Sequence, residues 1–551
     1  MTTLLRFWSA AAVMALAIHL GGFPLLDADE GRNAEVAREM AETNDYVMPR
    51  LNGLPYVDKP IVYFAAEAAA MEVLGPTELA ARLPAYLFTI ATAAVLFFFA
   101  RRQWGGDAPW IAVIVFLATP LTLAFARTVI FDSALTFFVV VALIAFYLAI
   151  EEREKKWSIL AWAAVGASMI TKGPVVFILV LFVAIPYAVW RSRVEGRGEG
   201  SPSSGAARHL LPARGEKGLG VVFPVLGLLA FIAIIAPWVW GVTRVVPDFL
   251  RYVLVTETAE RMATTALKRT GPPWYFVPYL IGGALPWSLV ALFSWKSLKR
   301  RELLYLGLWI AIPFIFFSLN QSKRPQYILP LMPALALILA RIWQEARTRG
   351  AAIVLTAFGA LLLAAPLFLH RAKMKPEIAA VADETAIALG IAFAAGGIAA
   401  LWAKRRELVL VALSLPAIAL PPATQPMMRA LGERRSTKSF VAELRPHLGP
   451  RTQVVGVEAF TGSLAFYLQR PIVLVSEDAS ELTSNYLIRR YDRYTSDPAS
   501  PLKRLEYFEQ SLGTCCPVYI LRNNDARRRA LLESRGWRLV ADGAHHVAYA
   551  R

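Results

Sequence analysis

Cysteine is almost missing from this chain. Its 551 residues carry two, adjacent at Cys515 and Cys516, so there is no disulfide framework and no spacing that would seat a structural metal. Charge is scarce as well: Asp, Glu, Lys and Arg make up 18% of the residues, where about a quarter is usual in soluble domains. With 56% hydrophobic residues and a mean hydropathy of +0.47, that deficit excludes an ordinary soluble enzyme and predicts an integral membrane protein. A tandem repeat of solenoid type is also lacking. The first apolar run is followed by HLGGFPLLDADE, which offers no small-x-small cleavage site, so the run is read as an anchor.

What the chain has is long apolar runs. They lie near 7–25, 81–100, 108–126, 132–150, 157–170, 174–190, 219–240, 274–295, 303–319, 326–342, 351–369, 384–403 and 407–421. Each approaches the length that crosses a ~30 Å hydrocarbon core at 1.5 Å per residue. They predict about 13 transmembrane helices, over residues 1–425. Residues 426–551 change character: β-rich runs such as TQVVGVEAF, PIVLVSE and CCPVYILR alternate with amphipathic ones such as DARRRALLESRG. The expected fold is thus an all-α polytopic membrane protein with a C-terminal soluble α/β domain.

The formal net charge of +17 would suit nucleic acid, but its placement argues against that partner. Basic residues crowd alternate loops, among them EEREKK, WKSLKRRE and AKRRE, and the glycine- and serine-rich stretch 195–218, read as a flexible linker. This positive-inside pattern puts the amino terminus in the cytoplasm. The loops between, and the segment after ~421, then face outward.

The first outward loop, 27–75, carries the densest charge. LLDADEGRNAEVAREM opens it with Asp27, Asp29 and Glu30, and a second helical stretch begins at DKPIVYF. Asp29 has a plain reading as a helix cap, with Glu30 at the positive end of the helix dipole. Acids at a lipid boundary nevertheless cost desolvation unless paired or facing water, and Arg32 is the natural partner. Tyr56, Asp58 and Lys59 follow in LPYVDKP, where Lys59 either snorkels to headgroups or holds a phosphate. Charges also punctuate the outer ends of later spans: Arg127 and Asp132, Lys172, Glu257 and Arg261, then Lys323, Arg324 and Tyr327. Singly each reads as an interfacial anchor. Together they form an outward basic pocket suited to anionic phosphates. The spans themselves are nearly free of charge, whereas a transporter places ionisable groups at mid-membrane.

DADEGRNAEVAREM, LNGLPYVDKPIVYF, FARTVIFDSALTFF, MITKGPVVF, GPPWYFVPYLIGGALPW and FFSLNQSKRPQYILPLMPALALI resemble, in order and spacing over residues 1–345, the bacterial aminoarabinose transferases. These are membrane glycosyltransferases of the GT-C fold, related to the protein O-mannosyltransferases. The resemblance implies a sugar, 4-amino-4-deoxy-L-arabinose, moved from undecaprenyl phosphate to lipid A at the periplasmic face of the bacterial inner membrane. It implies catalytic roles for Asp29, Glu30 and Asp132. Arg32, Tyr56, Asp58, Lys59, Arg127, Lys172, Glu257, Arg261, Lys323 and Tyr327 are the expected substrate-binding set. The chain departs from the family's usual pattern at Asn33, where a tyrosine is common, and at Asp58, where the motif usually has glutamate. Two alternatives stay open: another acceptor, a protein hydroxyl or surface glycan, or a transporter or flippase of lipid-linked sugars. No cofactor is expected with certainty, and a divalent metal near Asp58 has no ligand spacing to support it.

Overall fold

A computed structural model describes residues 2–196, 220–253, 271–369, 376–513 and 517–551. Glu257, Arg261, Cys515, Cys516 and most of the stretch 195–218 lie outside them.

Every apolar run overlaps a helix, yet not every run is a span. Nine helices among the described residues are long and apolar enough to cross a bilayer, from Glu78–Gln103 to Arg406–Arg435. Two further runs are bent pairs: Ala108–Leu117 with Pro120–Ala126, at 66°, and Pro273–Gly283 with Trp287–Phe293, at 101°. The bend at Pro120 has a local cause, since the residue before a proline avoids helical backbone and Thr119 is extended, with ψ 122°. The count is therefore nine, or eleven if each pair is one span, against the 13 expected. The shortfall lies in the runs at 7–25 and 157–170. Helix α1 (Thr2–Ala17) ends before Gly21 and Gly22 and is 16 residues long, short of a full crossing. Lys155–Lys172 begins on two lysines and ends on a third, which shortens its apolar part.

Ion pairs gather the basic loops at one end of the bundle, where Arg102 meets Glu152 at 2.6 Å, Arg191 meets Glu151 at 3.1 Å and Arg341 meets Glu302 at 2.9 Å. The other end carries the first loop and the C-terminal domain. The loop folds as α2 (Asp29–Thr43), a hairpin pairing Arg50–Leu51 with Leu54–Pro55, and α3 (Val62–Leu74). The hairpin turns through Asn52 and Gly53, both at positive φ (+53° and +75°), the backbone that an Asn-Gly pair adopts most readily.

Helix α4 (Arg406–Arg435) leads from the bundle to the C-terminal domain, and the boundary expected near 425 lies within it. The domain is one mixed sheet of β1 (Gln453–Val457), β2 (Ile472–Val475), β3 (Leu502–Lys503), β4 (Pro517–Arg522), β5 (Arg538–Asp542) and β6 (His546–Ala550), in spatial order β3-β2-β1-β4-β6-β5. β1 to β4 are parallel to one another; β6 runs antiparallel to both β4 and β5. Side chains alternate across a strand, and here the alternation divides two cores. Val454, Ile472, Leu474, Val518 and Ile520 share a core with Ala34, Ala37, Met40, Tyr56 and Phe64 of the first loop. Val455, Val475, Tyr519 and Leu521 pack instead with Phe508, Leu532 and Trp537. The first loop thus supplies part of the hydrophobic cover of a sheet formed some 400 residues later: Asn52 donates to the Ile472 carbonyl at 2.7 Å and accepts from its N–H at 3.0 Å.

Candidate active site

Asp29 opens α2 but does not cap it. Ala28 holds the cap position and no side chain accepts there. The Asp29 carboxylate instead binds two guanidiniums, Arg32 at 2.7 Å and Arg324 at 2.8 Å. Burial alone would push its pKa up; the two arginines outweigh that and hold the carboxyl below the ordinary value. Asp29 is therefore an ionised group clamped between cations.

These three residues border a cavity of about 500 Å³ that also receives Tyr56, Asp58, Lys59, Asp132, Lys172 and Tyr327. Lys172, ending its helix, forms an ion pair with Asp132, which begins the helix Asp132–Glu152. The Lys172 ammonium also stands 5.0 Å from the centre of the Tyr327 ring, and the Arg32 guanidinium 5.9 Å from that of Tyr56. Asp58 accepts from the Tyr252 hydroxyl and, at 3.3 Å, from the backbone N–H of Tyr486. Lys59 donates to the Asp58 carbonyl at 3.0 Å. Ile130, Leu135, Phe177, Ile178, Phe316 and Phe317 add an apolar part to the lining, beside the polar Asn33, Asn320, Ser322 and Gln326. The cavity brings cations and apolar side chains together, a lining that suits an anion carried on a hydrocarbon chain.

Three expected residues are engaged elsewhere. Glu30 is 3% exposed; its carboxylate accepts from Arg82 at 2.8 and 3.1 Å and from the N–H groups of Leu26 and Val129 at 3.0 Å each. That set satisfies it and makes it a brace between the first loop and two spans. Arg127 donates to the carbonyls of Leu16 and Ile18, at 2.7 and 2.6 Å. Lys323 caps the helix Leu304–Leu319, donating to the carbonyls of Ser318 and Asn320 at 2.7 and 2.8 Å. Its neighbour Arg324, in extended backbone, reaches the cavity in its place, because successive side chains of an extended segment point to opposite sides. Glu257 and Arg261 lie outside the described residues.

The sequence reading missed the part played by the C-terminal domain. Thr483 and Asn485 border the same cavity, and Thr483 accepts from Arg32 at 2.8 Å. No motif marks them; only the shared core brings them here. Arg82, an arginine inside an otherwise apolar run, was the visible signal of a buried acid needing a partner. Among the described residues no three His, Cys, Asp or Glu side chains gather in one group.

Fold and cavity together define a class: polytopic membrane proteins with a charged pocket between the helical bundle and an extramembrane domain. Comparison with known proteins gives the particulars. Residues 58–197 match the dolichyl-phosphate-mannose-protein mannosyltransferase family. Over 348 residues the chain is 28% identical to the undecaprenyl phosphate-alpha-4-amino-4-deoxy-L-arabinose arabinosyl transferase 1 of Pseudomonas fluorescens, a match covering 62% of this chain and 59% of that one. To the corresponding transferase of Shewanella sediminis it is 29% identical, over 60% of this chain and 58% of the relative. The match thus spans rather more than half the length of these relatives. The crystal structure of ArnT from Cupriavidus metallidurans bound to undecaprenyl phosphate superposes with a TM-score of 0.81, over 100% of this chain and 98% of that one, at 24% identity. The chain has the fold of that protein, and the resemblance read from the motifs is borne out.

Proposed function

We propose that this protein is a glycosyltransferase that moves 4-amino-4-deoxy-L-arabinose from undecaprenyl phosphate to lipid A, working at the periplasmic face of the inner membrane with its amino terminus in the cytoplasm. The observation that carries the reading is the cavity's mixed lining: Arg32, Arg324, Lys59 and Lys172 together with the apolar side chains of Ile130, Leu135, Phe177, Ile178, Phe316 and Phe317. A polyprenyl phosphate has the same two-part chemistry. The similarity to arabinosyl transferases supports the sugar.

In the reaction the bond between the sugar C1 and the carrier phosphate oxygen breaks, and its electron pair stays on that oxygen. Positive charge builds on the sugar ring, as in glycoside cleavage. A phosphate oxygen of the acceptor then forms the new bond to C1. The cations stabilise the leaving phosphate as its charge develops, the kind of preorganised contact whose loss costs on the order of 10²-fold in rate. An acceptor phosphate is already anionic, so no proton has to be removed. Asp29, held ionised by two arginines, is a poor base but a firm support: it fixes both guanidiniums and lends negative charge to the ring face.

Lipid A from a Gram-negative strain lacking its own aminoarabinose transferase, weighed with and without this gene, tests the proposal. A pentosamine added by the wild type and absent with Asp29→Asn is the expected result. Unmodified lipid A beside newly modified protein would favour a hydroxyl acceptor, the reading to which the mannosyltransferase match lends weight.

A further inference from the structure

A second cavity, of about 570 Å³, lies against the first. It opens at the carboxyl ends of the parallel strands, lined by the segments after β1, β2 and β4 and by the β5–β6 turn. From β1 the chain proceeds outward through β2 and β3, then returns to add β4 on the other side of β1. The crevice beside β1 and β4 is therefore the topological switch point of the sheet, where open α/β sheets bind their ligands.

Its lining is polar and mixed. Arg522 pairs with Glu481 at 3.1 Å and keeps half its side chain exposed. Asn523 donates its amide to the Gly543 carbonyl at 2.6 Å, which leaves its Oδ1 buried with no partner among the described residues. Asn524 is exposed at the rim. Arg32 closes the floor: it borders both cavities, donates to Thr483, and has a buried Nε without a partner. Guanidinium donors beside amides, and a vacant buried acceptor, match a phosphate carried on a sugar that also offers hydroxyls or an amine.

Resting on the transferase reading, we propose that this crevice holds the phosphorylated sugar head of the acceptor. The acceptor's phosphate then meets Arg32, which is bound to Asp29, while the first cavity keeps the donor. Two substrates approach the reacting carbon from opposite sides of one arginine.

The test uses the full chain in lipid nanodiscs. The probe is the water-soluble glucosamine disaccharide bisphosphate left when lipid A is deacylated. Its binding is measured for the wild type, Arg522→Gln and Asn524→Asp, with glucosamine 1-phosphate and inorganic phosphate alongside. The second variant, at an exposed side chain, guards against misfolding where Glu481 loses its partner. We expect roughly tenfold weaker head binding in each variant, the loss of one charged hydrogen bond or the gain of one repulsion. The KM for lipid A rises similarly, with the KM for the donor unchanged. Unaltered binding in both variants, displacement of the head by undecaprenyl phosphate, or equal affinity for bare phosphate would overturn the proposal. If the wild type transfers to lipid A and the variants keep its KM, the crevice fails and the transferase reading stands. If it transfers nothing to lipid A, that reading fails, and head binding still decides the crevice.

Discussion

At the residue scale, Asp29 and Glu30 show how little adjacency says about role. One faces the cavity between two arginines; the other is buried against Arg82. Asp29→Asn removes the charge that holds Arg32 and Arg324, and transfer measured with purified protein is expected to fall at least 10²-fold with thermal stability retained. Glu39 gives a different expectation. Burial, reinforced by Glu35, pushes its pKa up to about 8, although it accepts from the N–H groups of Asn52 and Gly53. Folding therefore favours the protonated acid. Its contribution is fully present below the unfolded value near 4.5 and is lost as pH rises through the folded one. Melting temperature should decline between about pH 4.5 and 8, and Glu39→Gln should flatten that slope; an unchanged slope would refute the assignment.

At the scale of elements, the brace formed by Glu30 and Arg82 and the contact of α2 with α5 (Gly462–Leu468) position the cavity. Arg82 is fully buried, so Arg82→Leu strands a buried carboxylate and is expected to cost about 3–5 kcal/mol, more than Glu30→Gln, read from denaturant melts in detergent. A Cβ at Gly462 would lie 2.1 Å from the Arg32 nitrogen and 2.4 Å from the Gly31 carbonyl carbon. Gly462→Ala should therefore part the two backbones and open the first loop to protease; unchanged cleavage would contradict the contact. The apolar runs, the strands β1, β2, β4 and β5 and both loop helices were legible in the sequence, because each rests on local periodicity or length; β3, within a run read as helical, and β6 were not. Which of Lys323 and Arg324 reaches the cavity was not, since that depends on one residue of register in an extended turn. Nor were Thr483 and Asn485, which long-range packing alone delivers.

At the scale of the whole molecule, the first loop and the C-terminal sheet form one body. Expressed without residues 1–435, the sheet domain would lose part of the apolar cover that Ala34, Ala37, Met40, Tyr56 and Phe64 give to the core of Val454, Ile472, Leu474 and Ile520. It is expected to self-associate, and a monodisperse fragment on a sizing column would contradict the shared core. The arrangement also sets an order of assembly. Residues 29–74 leave the ribosome long before β1 to β6 exist, and loop closure over such a separation is slow relative to local folding. For most of its synthesis the chain therefore carries an unfinished cavity, completed only when Thr483 and Asn485 have been delivered to it. Truncation that removes the sheet is then expected to abolish the proposed transfer as surely as damage to the acids, read as loss of the added mass on lipid A.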